Sequence, residues 1–135
     1  MPDFKISTHE LDRRKELVAT AQAAIMDAMQ VERGDECMIA LYRGFFLQIS
    51  YSETHSLVAI CFARALKDEF IGVARRINEM NLTSVFGSHA VNEDANCYTY
   101  RAVYWLDGVL TPKRWLEFLD RCTEEAARGF SMIGN

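Results

Sequence analysis

The spacing of hydrophobic residues changes several times along the chain, and each change marks a border between a helix and a strand. Apolar residues recur every three or four positions in three segments, and they alternate or run together in five others. In chain order, the predicted elements are a helix from residue 7 that fades over 31–34, strands at 37–42, 45–51 and 57–62, a helix at 67–81, strands at 85–91 and 97–106, and a helix at 111–129. The order α-β-β-β-α-β-β-α predicts an α+β fold: a single five-stranded antiparallel sheet with three helices.

Local signals support these borders. Ser7 can cap the first helix while Glu10, three residues on, reaches back to the Ser7 amide. The pair Arg43-Gly44 lies between two strand-like runs and predicts a tight hairpin turn. Gly87 falls inside a predicted strand, which indicates a bulge or a close approach of another group to the backbone.

The size and composition of the chain suit one globular domain. A chain of 135 residues can bury roughly two thirds of its unfolded surface, and here 50% of the residues are hydrophobic and 25% are charged. We therefore expect a single domain over 1–135, with flexible tails at 1–6 and 130–135. The net charge of −4 gives no general attraction to a phosphate backbone, so no nucleic-acid partner is expected.

The sequence also predicts a cytoplasmic protein with no membrane partner. Its apolar runs fall far short of the roughly 20 residues that cross a bilayer. Residues 1–5 show no apolar core of a secretory signal peptide.

The cysteines are expected to be buried, reduced thiols. They fall on separate predicted elements, and none forms the C-x-x-C pair that is typical of zinc sites and redox disulfides. These residues are Cys37, Cys61, Cys97 and Cys122. The sequence thus predicts no disulfide, no metal site and no cofactor.

Recognised catalytic motifs are missing from the sequence. There is no G-x-G-x-x-G, Walker A loop, H-E-x-x-H or G-x-S-x-G. One alternative stays open, because His89 and Cys97 flank the turn of the last predicted hairpin. A polar pocket that joined them to Arg101 could bind a small molecule or support catalysis. Cys97 has no adjacent helix N-terminus or cation to activate its thiol, so the leading interpretation is a protein that is not an enzyme.

Aromatic residues of the predicted sheet point to protein partners instead. Helices can cover only one face of a sheet in this layout, yet apolar side chains are predicted on both faces. A second copy or another protein would bury the remaining face. Aromatic side chains are frequent anchors of interfaces, and the candidates for partner binding or dimerisation are Phe46, Tyr98 and Trp105.

Two segments carry a resemblance to a known family. They are V-A-R-R-I-N-E-M-N at 73–81 and V-F-G-S-H-A-V-N-E-D at 85–94. The chain resembles the YbjN family, described as bacterial sensory transduction regulators, which is similar in fold to the class I type III secretion chaperones. The residues that match the sequence pattern typical of the family are Asn78, Glu79, Asn81, Phe86, Gly87, Glu93 and Asp94. The family often has glycine after the acidic pair, whereas this chain has Ala95-Asn96.

The resemblance implies a homodimer and no catalytic residues. Its local motif covers about residues 70–125, and the element order covers nearly the whole chain. Taken with the residues themselves, it predicts a non-enzymatic protein-interaction module, a chaperone or regulatory adaptor. Such a module would lay an extended segment or a helix of another protein on a sheet edge or groove.

Overall fold

Over the residues that the structure describes, the fold consists of three helices and a six-stranded antiparallel sheet. The computed structural model describes residues 6–34, 36–67 and 73–133. The elements are α1 (Thr8–Ala28), β1 (Glu32–Arg33), β2 (Met38–Tyr42), β3 (Phe45–Ser52), β4 (Leu57–Ala65), α2 (Ala74–Thr83), β5 (Gly87–Asn92), β6 (Cys97–Trp105) and α3 (Pro112–Met132). The strand order across the sheet is β1-β2-β3-β4-β6-β5.

The expected five strands become six because the chain after α1 turns back into a short hairpin. Strand β1 places Glu32 beside Ile39 and Arg33 beside Met38. The amide of Gly34 donates to the Cys37 carbonyl at 2.7 Å and closes the turn. The two residues of β1 are too few to show the alternation of apolar and polar side chains that marks a strand. The sequence pattern therefore indicated a fading helix where the structure has a strand.

The second and third helices also differ from their predicted bounds. Helix α2 begins at Ala74, and residues 68–72 of the predicted helix lie outside the described residues. Helix α3 continues to Met132, and both Phe130 and Ile133 are buried. The expected tail at 130–135 is therefore wrong for 130–133, because these residues complete the apolar stripe of α3.

The core lies between one face of the sheet and the helices α1 and α3. Strand residues of this face alternate strictly with residues of the other face, as the two-residue repeat of a strand requires. The buried strand positions are Met38, Ala40, Phe45, Leu47, Ile49, Val58, Ile60, Phe62, His89, Tyr98, Tyr100 and Ala102. The main helical contributions are Leu17, Ala21 and Ile25 from α1, and Trp115, Leu119, Cys122 and Ala126 from α3.

Turns and caps form largely as their residue types predict. Ser7 accepts a hydrogen bond from the Glu10 amide at 3.1 Å, which confirms this cap of α1. Arg43 and Gly44 have φ angles of 49° and 86°, as a two-residue hairpin with two left-handed positions requires. Asn96 has a φ of 48°, so asparagine fills the place where the resembled family often has glycine.

Gly87 gives a first test of the fold. An added Cβ at Gly87 would lie 2.3 Å from the Arg101 carbonyl oxygen and 2.6 Å from the Tyr100 ring, so the close approach expected from the sequence is confirmed. We predict that Gly87→Ala lowers the free energy of unfolding by about 2 kcal/mol or more, because the clashing atoms are backbone and a buried ring. Chemical denaturation monitored by circular dichroism measures the change. Gly108→Ala is the control, since an added Cβ there meets nothing within 4 Å; equal stability of the two variants would contradict the prediction.

Candidate functional site

The three aromatic residues expected at an interface do not share one surface. Phe46 is 41% exposed and Trp105 is 64% exposed, whereas Tyr98 is fully buried. Tyr98 is therefore not available to a partner, and its proposed surface role must be corrected. The reason is register: Tyr98 lies on the same face of β6 as Tyr100 and Ala102, which pack against the helices.

Phe46 and Trp105 lie on the uncovered face, but at opposite ends of it. Phe46 of β3 pairs with Ala63 of β4, while Trp105 of β6 pairs with Leu57 at the other end of β4. Six residues of an extended strand span roughly 20 Å. A single small ligand segment would not contact both side chains, so the two residues define separate candidate positions.

The alternative site at the last hairpin does not form. His89 pairs with Tyr100 and is buried on the helix-covered face. Cys97 and Arg101 lie on the opposite face, because both are an odd number of positions from Tyr100 on the same strand. The sheet separates His89 from the other two residues, so the polar pocket postulated for a small molecule or for catalysis is not there.

An open groove lies at the β2 end of the sheet. Strand β1 pairs only with Met38 and Ile39, so among the described residues no strand lies beside the outer edge of β2 at 40–42. A cavity of about 1170 Å³ opens next to this edge. We call it the β2-edge groove, and its lining residues are Met26, Asp27, Ala28, Met29, Gln30, Val31, Glu32, Ile39, Ala40, Leu41 and Phe46.

The groove combines apolar side chains with a free strand edge. Met26 is 51% exposed and Leu41 is 82% exposed, so both offer apolar surface to a ligand. Asp27 and Glu32 are exposed carboxylates on the same lining. The groove therefore presents apolar surface, a strand edge and negative charge together.

A second apolar surface lies at the other end of the sheet. Leu82, Val85 and Phe86 follow one another around the end of α2 and the start of β5, with exposures of 85%, 77% and 41%. We call these three residues the α2–β5 patch. It lies beside β5, which is the edge strand on this side of the sheet.

A buried carboxylate holds the backbone of this patch, and the sequence interpretation missed it. Glu125 of α3 is only 6% exposed. Its carboxylate accepts hydrogen bonds from the amides of Val85, Phe86 and Gly87 at 2.8, 3.0 and 3.0 Å. The Ser84 hydroxyl at 2.9 Å and the Tyr100 hydroxyl at 2.7 Å also donate to it. The available signal was the position of Glu125 within the apolar stripe of α3, three residues after Cys122 and directly before Ala126.

The electrostatics of the Glu125 cluster match this geometry. Burial by itself would raise the pKa of Glu125, but the hydrogen bonds from Val85, Tyr100, Gly87 and Ser84 outweigh burial and lower the pKa to about 2. Burial lowers the pKa of the neighbouring His89, against the opposing charge of Glu125. The cluster therefore holds one carboxylate anion and one neutral imidazole at neutral pH.

The cluster has the residue types of a hydrolytic site but not the arrangement. The Ser84 hydroxyl lies 3.4 Å from His89 Nε2, while His89 Nδ1 lies 2.5 Å from the Tyr98 hydroxyl. Glu125 contacts Ser84 directly and does not stand behind the imidazole, as the orienting acid of a triad does. None of these residues lines the β2-edge groove. The arrangement fits a structural network better than a nucleophile and its base.

The described part of the chain gives equally little support for thiol or metal chemistry. The four cysteines are free thiols. Burial raises the pKa of Cys61, and burial together with Glu125 raises that of Cys122 to about 12, which disfavours the reactive thiolate at both positions. Over 6–34, 36–67 and 73–133, no group of three His, Cys, Asp or Glu residues is placed to hold a metal ion. The helices of those residues are also too short or too polar to span a bilayer.

The fold is similar to that of a chain from a solved chaperone-effector complex. A chain of the solved structure described as the HopA1-SchA chaperone-effector complex superposes on 94% of this chain and on 99% of its own length, with a TM-score of 0.60 and 8% sequence identity. Identity this low establishes the fold alone. No protein-family model and no curated protein matches the chain. The resemblance to the YbjN family therefore stays a prediction.

Acid titration tests the Glu125 cluster. The folded pKa of about 2 lies below the ordinary value of 4.5, so the stabilisation is complete above pH 4.5 and is lost as the pH falls toward 2. We predict that the wild-type chain loses on the order of 3 kcal/mol more unfolding free energy than Glu125→Gln between about pH 5 and pH 2. Urea denaturation at a series of pH values measures both slopes. Parallel pH profiles for the two proteins would contradict the assigned network.

Proposed function

We propose that the chain is a non-enzymatic protein-interaction module of the chaperone type, which acts in the cytoplasm as a homodimer and binds an extended segment of another protein. The unpaired edge of β2 beside an apolar groove is the observation that carries this proposal. The fold supports it, because the similar chain comes from a chaperone-effector complex. The YbjN family, with its regulatory description, is the family we propose for the chain.

The proposed mechanism is strand addition at the β2-edge groove. An extended segment would continue the line of β1 and pair with the backbone of residues 40–42, where edge amides and carbonyls lack a neighbouring strand. Its side chains would point alternately to the two faces of the sheet. One set would contact Met26 and Met29, and the other Leu41 and Phe46. Asp27 and Glu32 would attract a basic flank.

We assign the homodimer contact to the α2–β5 patch. Three exposed apolar side chains within five residues, beside an edge strand, are costly in water and suit a two-fold contact. Glu79 lies one helical turn before Leu82 and is paired with Arg75 at 3.3 Å, so the α2 surface that adjoins the patch carries charges of both signs and does not repel a second copy.

Peptide selection with paired variants tests the groove. Random peptides displayed on phage are selected on the immobilised chain, and the Kd of an enriched peptide is measured by fluorescence polarisation. We predict that Phe46→Ala raises this Kd by a factor of about 30, the equivalent of about 2 kcal/mol for an aromatic anchor. Trp105→Ala is the matched control, because Trp105 is an exposed aromatic residue of the same face at the far end of the sheet.

Two outcomes would redirect the groove assignment. Weaker binding by Trp105→Ala with no effect of Phe46→Ala would place the ligand at the other end of the uncovered face. Methylation of alternate peptide amides should abolish binding, because strand addition needs those donors. A methylated peptide that keeps its Kd would show that the segment does not bind as a strand.

Sedimentation tests the dimer and its surface. We predict a wild-type dimer at tens of micromolar, and a shift toward monomer for Val85→Asp, because the new carboxylate would be buried without a partner. The stability of the Val85→Asp monomer should change by less than about 0.5 kcal/mol, since Val85 is 77% exposed. Val109→Asp is the control, since Val109 is 66% exposed and lies outside the patch. A dimer unaffected by Val85→Asp would exclude this surface.

A further inference from the structure

The α2–β5 patch is exposed although its backbone is held from inside the protein. The amides of Val85 and Phe86 donate to the buried carboxylate of Glu125, while the side chains of the same two residues are 77% and 41% exposed. The backbone of both residues is thus bonded to α3 while their side chains lie at the surface. The carboxylate thereby fixes the outward direction of two adjacent apolar side chains.

Polar side chains also hold the residues on either side of Val85 and Phe86. The Asn81 side chain bonds the backbone of His89 twice, accepting from the amide at 2.7 Å and donating to the carbonyl at 3.0 Å. This pair ties the end of α2 to β5. The Tyr100 hydroxyl fixes Glu125 from the sheet side at 2.7 Å. The turn at 84–87 therefore has little freedom to rotate its apolar side chains inward.

We propose that Glu125 is a positioning residue for the homodimer contact, whose carboxylate pre-organises Val85 and Phe86 for the second copy of the chain. The inference rests on the proposed function, which assigns the dimer to the α2–β5 patch. Binding costs less when the contacting side chains are already ordered, so the clamp lowers the entropy lost on dimerisation. Without it, the turn would be free to fold Phe86 against the protein and withdraw the contact.

The experiment compares a variant that changes the carboxylate itself with a variant that removes one of its hydrogen-bond donors. Glu125→Gln replaces the acceptor of the Val85 amide with an NH2 donor and removes the negative charge that the Phe86 and Gly87 amides contact. Tyr100→Phe removes one hydroxyl donor and leaves the amide bonds in place. We expect Glu125→Gln to raise the dimer Kd by at least about tenfold and Tyr100→Phe by less than about threefold. Analytical ultracentrifugation at about 10 °C gives the Kd, with circular dichroism confirming that each variant is folded.

Hydrogen exchange separates positioning from general stability. We expect the amides of Val85, Phe86 and Gly87 to exchange faster in Glu125→Gln while the amides of β3 and β4 stay protected. Glu125→Asp, which keeps the charge but is one methylene shorter, should behave like Glu125→Gln. If both Glu125 variants are unfolded at about 10 °C, the role of Glu125 is overall stability and the inference is overturned.

The remaining outcomes distinguish this inference from the proposed dimer. A wild-type chain that is monomeric at about 100 µM overturns the dimer and the inference together. A wild-type dimer whose Kd rises with Val85→Asp but not with Glu125→Gln overturns the inference alone. An equal rise in Kd for Tyr100→Phe and Glu125→Gln also overturns it, because loss of stability would then explain both.

Discussion

The structure depends on one constraint: two long helices must cover a six-stranded sheet, and they can cover only one of its faces. Helices α1 and α3 each have 21 residues, a length of roughly 30 Å. The two-residue repeat then divides every strand into a buried and an open set. The open set remains compatible with water through polar and small residues such as Gln48, Ser88, Thr99 and Arg101. Apolar exposure is left mainly at the ends and edges of the sheet.

Helix α2 is held in a different way from α1 and α3. Only Met80 of α2 is buried, so apolar burial contributes little to its position. Hydrogen bonds replace it: Asn81 joins α2 to β5, and Glu125 of α3 accepts from the amides that follow α2. Breaking such buried bonds leaves several donors without partners, each at a cost of about 1–3 kcal/mol. The α2–β5 unit is therefore firmly placed while its apolar side chains stay outside.

Sequence reasoning succeeded where a repeated pattern carried the information. The α+β class, five of the strands, the hairpin at Arg43-Gly44 and the close approach at Gly87 all followed from periodicity or from glycine geometry. It failed for β1, because two residues have no period, and for Tyr98, because an aromatic residue suits a core as well as an interface. The burial of Glu125 was not predicted, because a carboxylate on a helix is usually solvated. Only its neighbours in the folded structure show why this one is buried.

The two surfaces assigned to partners lie at opposite ends of the sheet. Four strand spacings separate β2 from β5 in the order β2-β3-β4-β6-β5, which is roughly 19 Å. A dimer formed through β5 and α2 would therefore leave both β2-edge grooves free and facing outward. Two grooves on one rigid dimer would bind two segments of the same partner chain with a higher effective concentration than either groove alone. In the proposed dimer, the edge strand β5 would also determine the distance between the two grooves, so dimerisation would do more than cover an apolar patch.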